Sequence, residues 1–263
     1  MEYHPEFGIA APEHGWVPAP RYILRRYLLL NIFNNLKGSA LEIGCGSGAL
    51  LADLAKHGFE VTGLESSAEA TSVAKEILSN TSAVLHTSPQ DDWTKKFDTV
   101  CAFEVLEHIE DQISALRDWQ KWVKPDGQII LSVPAHQYLW NEGDVWAGHF
   151  RRYSAKQLRQ TLEAAGLVVE HIEYYGFPVA TVSEQVNGLI KKRRKRSAKK
   201  KSHKASTARS GVDRADTLSL WPLIASWFGV LAFRFFNLLQ RLPFTGAVSS
   251  GLIVVAKPAQ SSR

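Results

Sequence analysis

Leu41-Glu42-Ile43-Gly44-Cys45-Gly46-Ser47-Gly48 decides how this chain is read. Ala40 to Ile43 has the character of a short strand, the glycines make a tight turn, and residues 49–57 continue as a helical stretch. Glycines in such a turn permit positive φ and let a ligand lie against bare backbone. The helix start beyond them offers unpaired N–H groups. Glycine spacing alone is weak, because Gly44-x-Gly46-x-x-Ala49 also fits a dinucleotide fingerprint. Glu42 tilts the choice. It stands two residues before the first glycine, where it repels a pyrophosphate and attracts an ammonium or a sulfonium. Cys45 reads as a small filler of the turn.

Working outward, Phe59 to Leu64 is a second strand ending at Glu65, whose two oxygens can accept bonds from both hydroxyls of a ribose. Further strands are expected at 83–86, 97–103, 128–133, 167–174 and 250–256. Helices are expected at 67–78, at 110–123 and at 155–165, the last capped by Ser154 and ended by Gly166. Pro125-Asp126-Gly127 reads as a turn and 134–150 as a long aromatic loop. Upstream, 1–18 reads as an irregular arm, and 20–36 as an amphipathic helix with Ile23, Tyr27 and Leu30 on one face. Strands alternating with helices imply a mostly parallel sheet covered on both faces, with ligands at the carboxyl ends of its strands.

The chain has 263 residues, enough for one large α/β domain or a core with an appendage. Hydrophobic residues at 45% and charged residues at 22% exclude a wholly disordered, collagen-like or polytopic membrane chain. Two cysteines exclude a disulfide-stapled fold. The first residues show no charged start followed by an apolar run, so a cytoplasmic setting is expected. The net charge of +5 is local in origin: residues 191–209 hold eleven Lys and Arg and no acid. Without them, twenty basic residues face twenty-six acids. That balance argues against nucleic acid as a partner, since a nucleic-acid enzyme spreads basic residues over its working face.

On LEIGCGSG (41–48), VTGLESS (61–67), FDTVCAFEVLEHIED (97–111), VKPDGQIILSVPA (123–135) and GLIVVAKP (251–258), the chain resembles the class I S-adenosylmethionine-dependent methyltransferases. The resemblance covers about Leu36 to Phe177 and resumes at the last strand. It implies a Rossmann-like, doubly wound, seven-stranded α/β sheet. Its order would be 3-2-1-4-5-7-6, counted from the strand before the glycine turn, with a helical insertion between the last two strands. It implies S-adenosyl-L-methionine as cofactor. Gly44, Gly46 and Gly48 would face its methionine part and Glu42 its amino group. Glu65, with Ser66 beside it, would hold the ribose. The loop after the third strand would meet adenine; relatives often carry Gly-Asp-Ala there, whereas this chain has Thr87-Ser88-Pro89-Gln90-Asp91, so Gln90 and Asp91 are the candidates. Phe103 and Glu104 would flank the reactive methyl.

Glu104, Glu107 and His108 lie on nearly one side of a helical turn. In the quinone-biosynthetic O-methyltransferases and small-RNA end methyltransferases that this run resembles, it binds a divalent cation, with His149 or His136 available here to complete a site. Many methyltransferases carry a similar run without metal, and that reading is preferred: no metal is assigned. His149 and His108 are the candidate proton acceptors, because a histidine can take a hydroxyl proton at neutral pH. Residues 134–153 follow the fifth core strand and so stand over the ligand end. Tyr138, Trp140, Trp146, Arg151, Arg152 and Tyr153 are the candidate acceptor-binding residues: aromatics suit a ring, a sugar or an isoprenoid, and paired arginines suit phosphate or carboxylate. The bland alternative is that the aromatics close the core and the arginines pair with Glu142 or Asp144. The Gly148-His149-x-Arg151-Arg152-Tyr153 run resembles methyltransferases of bacterial envelope glycan and lipid pathways.

The chain therefore divides into an N-terminal arm and helix (1–36), a methyltransferase-like core (37–176), an insert (177–248) and a last core strand with tail (249–263). The insert joins the basic run to an aromatic, apolar segment, 221–244. Its uncharged stretch from Thr217 to Phe233 is at the short end of a membrane span. Both ends of the insert must return to one sheet, which forbids a single crossing. An interfacial helix pair on an anionic membrane surface through 191–244 is expected, with a lid packed on the core as the alternative. The expected activity is methyl transfer to an oxygen of a lipid-linked or amphipathic acceptor. Its rivals are a soluble phenol or carboxylate as acceptor, a non-catalytic S-adenosylmethionine-binding scaffold, and a nicotinamide-dependent oxidoreductase, which Glu42 disfavours.

Overall fold

The computed structural model describes residues 1–195 and 215–259. Its centre is a seven-stranded sheet of β3 (Ser39–Ile43), β4 (Glu60–Leu64), β5 (Val84–His86), β6 (Phe97–Phe103), β7 (Val123–Pro134), β8 (Leu167–Tyr175) and β9 (Gly251–Pro258). The order β5-β4-β3-β6-β7-β9-β8 is the expected 3-2-1-4-5-7-6. The first five strands are parallel, and β9 runs antiparallel between β7 and β8. Helices α1 (Pro20–Phe33), α2 (Ala49–Lys56) and α3 (Ala68–Ile77) bury their apolar stripes in the core on one side. α4 (Gln112–Trp122) and α6 (Ala155–Ala164) do so in the core on the other. The switch from β3 to its neighbours β4 and β6 opens the crevice that such sheets use for ligands.

Four local expectations are corrected. Residues 1–18 are not an irregular arm: β1 (Glu2–His4) pairs with β2 (Gly8–Ala10), and Phe7, Trp16 and Val17 are buried. Their prolines, glycines and histidines mask an apolar set that packs under α1 and α2. Residues 125–127 do not form a separate turn. β7 runs through them with a register shift opposite Phe97 and Thr99, where Gly127 lies against the Asp98 carbonyl too closely for a side chain. Within 134–150, Asn141 caps a short helix, α5 (Glu142–Ala147), and Asp144 returns the bond to the Asn141 N–H. The apolar stretch 217–233 is broken at Leu220 and Ser226 into single turns and the start of α8 (Trp227–Leu239).

α1 and α2 are joined by a buried ion pair. Arg26 reaches Asp53 through Nε at 2.6 Å and Nη2 at 2.8 Å. From β8 the chain enters α7 (Val179–Lys195), which packs on α1 and α5. The larger part of the basic run, 196–209, lies outside the described residues. α8 lays Phe233 against Phe7 at 5.4 Å between ring centroids. Among the described residues, no helix is long and apolar enough to cross a membrane.

Candidate active site

A cavity of about 1190 Å³ opens at the carboxyl ends of β3, β4 and β6. Its inner end is built by the glycine turn. Gly44, Gly46 and Gly48 all have positive φ, and a Cβ on Gly44 would come within 2.7 Å of Val105. The turn is pinned by Glu65, which accepts the Gly46 N–H at 2.9 Å and the Ser67 N–H at 2.7 Å. Each Glu65 oxygen keeps a second acceptor position, and Glu65 and Ser66 both line the cavity. Glu42 lines it too. Burial pushes its carboxyl up to about 8, and its Oε2 has no hydrogen-bond partner.

The wall facing Glu42 was not found in the sequence. Trp16, Tyr22 and Arg25 line the same end, and their Nε1, Oη and Nε atoms are buried without partners. A buried carboxyl facing unpaired donors is matched by a group carrying both an ammonium and a carboxylate, as the amino-acid end of S-adenosylmethionine does. The residues therefore fit that cofactor. The spacing of Arg21 and Arg25, one helical turn apart, was the available signal.

Phe103 ends β6 and Glu104 follows it, and both line the cavity. Arg25 stacks over Phe103, and Glu104 stands at φ +60°. Glu104 accepts from Arg21 at 2.6 Å, Tyr175 at 2.7 Å and Ser132 at 2.9 Å. Burial alone would raise its carboxyl; Arg21, Arg25 and these bonds hold it well below the usual range instead. Arg21 also pairs with Glu184 of α7.

Beyond Glu104, Glu107, His108 and His149 come together with ligand atoms all within 4.8 Å of one another. Glu107 is 0% exposed, and neither of its oxygens has a hydrogen-bond partner. Burial and the neighbouring Glu104 push its carboxyl well up. His108 is lowered to about 4 by burial and by His149. His149 Nδ1 is 2.8 Å from Asp144 Oδ1, which leaves Nε2 towards Glu107. Asp144 also accepts from Arg152 Nε at 2.8 Å. The sequence reading preferred no metal here, yet these three residues have the donor set and spacing to hold a divalent cation. Glu104, tied to Arg21, is not among them.

The outer end is lined by Trp146, Phe150, Arg152 and, from α7, Glu184, Asn187, Gly188 and Lys191. Lys191 lies over the Trp146 ring at 3.7 Å. The sequence reading placed no site residue on α7. Its spacing of 184, 187, 188 and 191 marks one helix face, hidden in a segment dominated by its basic end. Four of the six acceptor candidates do not line the cavity. Tyr138 reaches the Ala247 carbonyl and stacks on His136, Trp140 ends a short turn, Arg151 bonds the Glu110 carbonyl, and Tyr153 is buried on Gln112. Gln90 and Asp91 also fall outside the lining: Gln90 folds back onto the Ser88 carbonyl, and Asp91 starts a short exposed turn. Both buried cysteines are free thiols, as a filler role requires.

Residues 19–172 match the family described as a methyltransferase domain. A ubiquinone biosynthesis O-methyltransferase of Aliivibrio fischeri (strain MJ11) is 34% identical over 117 residues, 42% of this chain and 50% of that protein. One from Vibrio cholerae is 32% identical over 122 residues, 42% of this chain and 48% of that one. The matched stretch thus spans about half the length of these relatives. In fold, the chain resembles phosphoethanolamine N-methyltransferase 2 of Haemonchus contortus, solved with S-adenosyl-L-methionine. The TM-score is 0.55 at 17% identity, covering 89% of this chain and 52% of that one. A Bacillus halodurans structure described as a methyltransferase gives a TM-score of 0.55 at 13% identity, covering 89% and 98%. With the sheet order, the glycine cradle and this match over more than half its length, the chain belongs to the class I, S-adenosylmethionine-dependent methyltransferase family.

Proposed function

We propose that this protein transfers the methyl group of S-adenosylmethionine to an oxygen of a lipid-linked or amphipathic acceptor, as a cytoplasmic protein peripheral to an anionic membrane surface. The observation that carries the reading is the two-ended cavity. A zwitterion-matching end and a ribose-binding acid stand at one side, and a histidine, an arginine and aromatic rings at the other. When bound, S-adenosylmethionine supplies a methyl carbon on a sulfonium, and its transfer to an oxygen leaves a neutral thioether. Glu42 takes the ammonium, and Trp16, Tyr22 and Arg25 take the carboxylate. Glu65 accepts from the ribose, and the glycine turn lets the backbone approach. His149 Nε2 takes the acceptor's hydroxyl proton, while Asp144 holds the ring through Nδ1. Trp146 and Lys191 orient the acceptor, so most of the acceleration comes from holding oxygen and methyl in line. Oxygen is favoured over nitrogen by the curated O-methyltransferase relatives.

A metal-assisted variant is favoured by one observation, the two buried Glu107 oxygens that have no hydrogen bond. A divalent cation held by Glu107, His108 and His149 would lower the pKa of the acceptor hydroxyl.

Calorimetry with S-adenosylmethionine and S-adenosylhomocysteine on the intact chain and on Glu65→Ala tests the donor half. S-adenosylhomocysteine formation with membrane lipid extracts tests the acceptor half. Micromolar binding, lost in the variant, followed by turnover on lipid is expected. Turnover on small phenols or carboxylates alone would replace the acceptor class. Binding without any turnover would leave a scaffold, and no binding by the intact chain would overturn the donor-site assignment of Glu42, Glu65 and the glycine turn.

A further inference from the structure

α7 has two working faces. Glu184, Asn187, Gly188 and Lys191 line the cavity. Val182, Val186, Leu189 and Ile190 are spaced four, three and one apart on the other face, and all are exposed. α8 repeats the pattern. Phe233 is buried, while Trp227, Phe228, Leu231, Phe235 and Leu238 form an outward stripe, each about 60% exposed or more. Val179 and Ala180 of α7 share one apolar cluster with Trp221, Ile224 and Phe233, so both helices rest on a common base. Scattered exposed apolar residues are ordinary, but two helices that each turn a stripe outward mark a binding surface.

We infer that the outward faces of α7 and α8 dock on an anionic lipid bilayer, so that the acceptor headgroup enters the cavity along the inner face of α7. This rests on the amphipathic-acceptor reading above. Charge selects the occupant. The stretch from Lys191, in the last turns of α7, to Arg209 carries eleven Lys and Arg with no acid, and an anionic surface attracts such a polybasic stretch while an apolar protein face does not. Geometry selects the depth. Tyr175 and Gly251 are register partners at one end of the sheet, so the insert leaves and returns on the same side. No described helix is long enough to span. Helices with aromatic and aliphatic stripes beside basic residues lie in the plane of the interface. A lipid tail then stays in the bilayer while its polar end reaches Trp146 and His149.

The test is sedimentation of the full chain with vesicles of phosphatidylglycerol and phosphatidylcholine, against phosphatidylcholine alone. S-adenosylmethionine binding is measured on every variant as the check on folding. Binding to the anionic vesicles at least tenfold tighter is expected. It should weaken tenfold or more in Leu231→Glu/Phe235→Glu and in Val186→Glu/Leu189→Glu, and fall with added salt, with donor affinity unchanged. Equal binding to neutral vesicles, or anionic binding that survives both double variants, would overturn the inference. So would a dimer in solution that these variants dissociate without any vesicle binding, which would make a second copy the occupant. Vesicle binding with turnover only on soluble acceptors would keep the docking surface and discard the acceptor reading.

Discussion

His149 donates from Nδ1 to Asp144 Oδ1 over 2.8 Å, which fixes the ring so that Nε2 is the nitrogen left without a hydrogen bond, 3.8 Å from Glu107 Oε1. Burial would raise the Asp144 carboxyl, but the bonds from His149 and Arg152 lower it to about 2, so it stays ionised as an acceptor. Asp144→Asn keeps the shape but can present an N–H to the ring and favour the wrong tautomer. Turnover should fall about 10²-fold or more with donor affinity unchanged, measured as S-adenosylhomocysteine release and by calorimetry.

Glu42 makes donor binding a proton-releasing event. With its carboxyl at about 8, the free protein is mostly protonated there at pH 7. Pairing with an ammonium ionises it. Calorimetry in buffers of different ionisation enthalpy should show nearly one proton released per donor at pH 7 and little at pH 9. Glu42→Gln should abolish the release.

Glu65 holds the glycine turn from both oxygens. Glu65→Ala removes two hydrogen bonds to a charged acceptor as well as the ribose partner. Donor affinity should fall about 100-fold or more. Glu65→Gln, which keeps one acceptor oxygen, should lie between the variant and the parent.

Glu107 gives a test by heat and pH. Its carboxyl is raised in the fold, so its contribution is fully present below the ordinary carboxylate pKa and is lost as pH rises towards the raised value. The parent's melting temperature should drop over that rise more than that of Glu107→Gln. Mn²⁺ should restore it in the parent and not in the variant, if the cluster with His108 and His149 holds a cation.

The Arg26–Asp53 pair is buried at both ends, with side chains 4% and 0% exposed. Asp53→Ala leaves a buried guanidinium without its carboxylate. It should cost about 3–5 kcal/mol in a denaturant melt. Arg26→Met/Asp53→Leu should recover most of that loss, because the desolvation cost goes with the charges.

Where backbone chemistry is local, the sequence was readable. The glycine turn, the Ser154 cap with Gln157, and the uniformly apolar FDTVCAF strand all appear where their residues require them. Glu42 and Glu65 were legible because a strand end fixes where an acid points. The rest depends on contacts made across the chain. Trp16, Tyr22 and Arg25 gain meaning only when the first helix closes over the glycine turn. Glu184 and Lys191 do so only when α7 folds back on α5, where Gly188 leaves room for Asn141. Tyr138, Arg151 and Tyr153 are near the site only in sequence, and contacts from outside that stretch, with the Ala247 and Glu110 carbonyls and with Gln112, hold them elsewhere.

The place of β9 also sets the order in which this protein can be completed during synthesis. β7 and β8 have no contact through the sheet until residues 251–258 are inserted between them. At translation rates of about 5–20 residues per second, β8 waits roughly 4–17 s and the apolar edge of β7 roughly 6–25 s for that partner. During that interval the nascent chain presents an unpaired strand beside newly made, aromatic-rich helices, which is the state most open to chaperones and to aggregation.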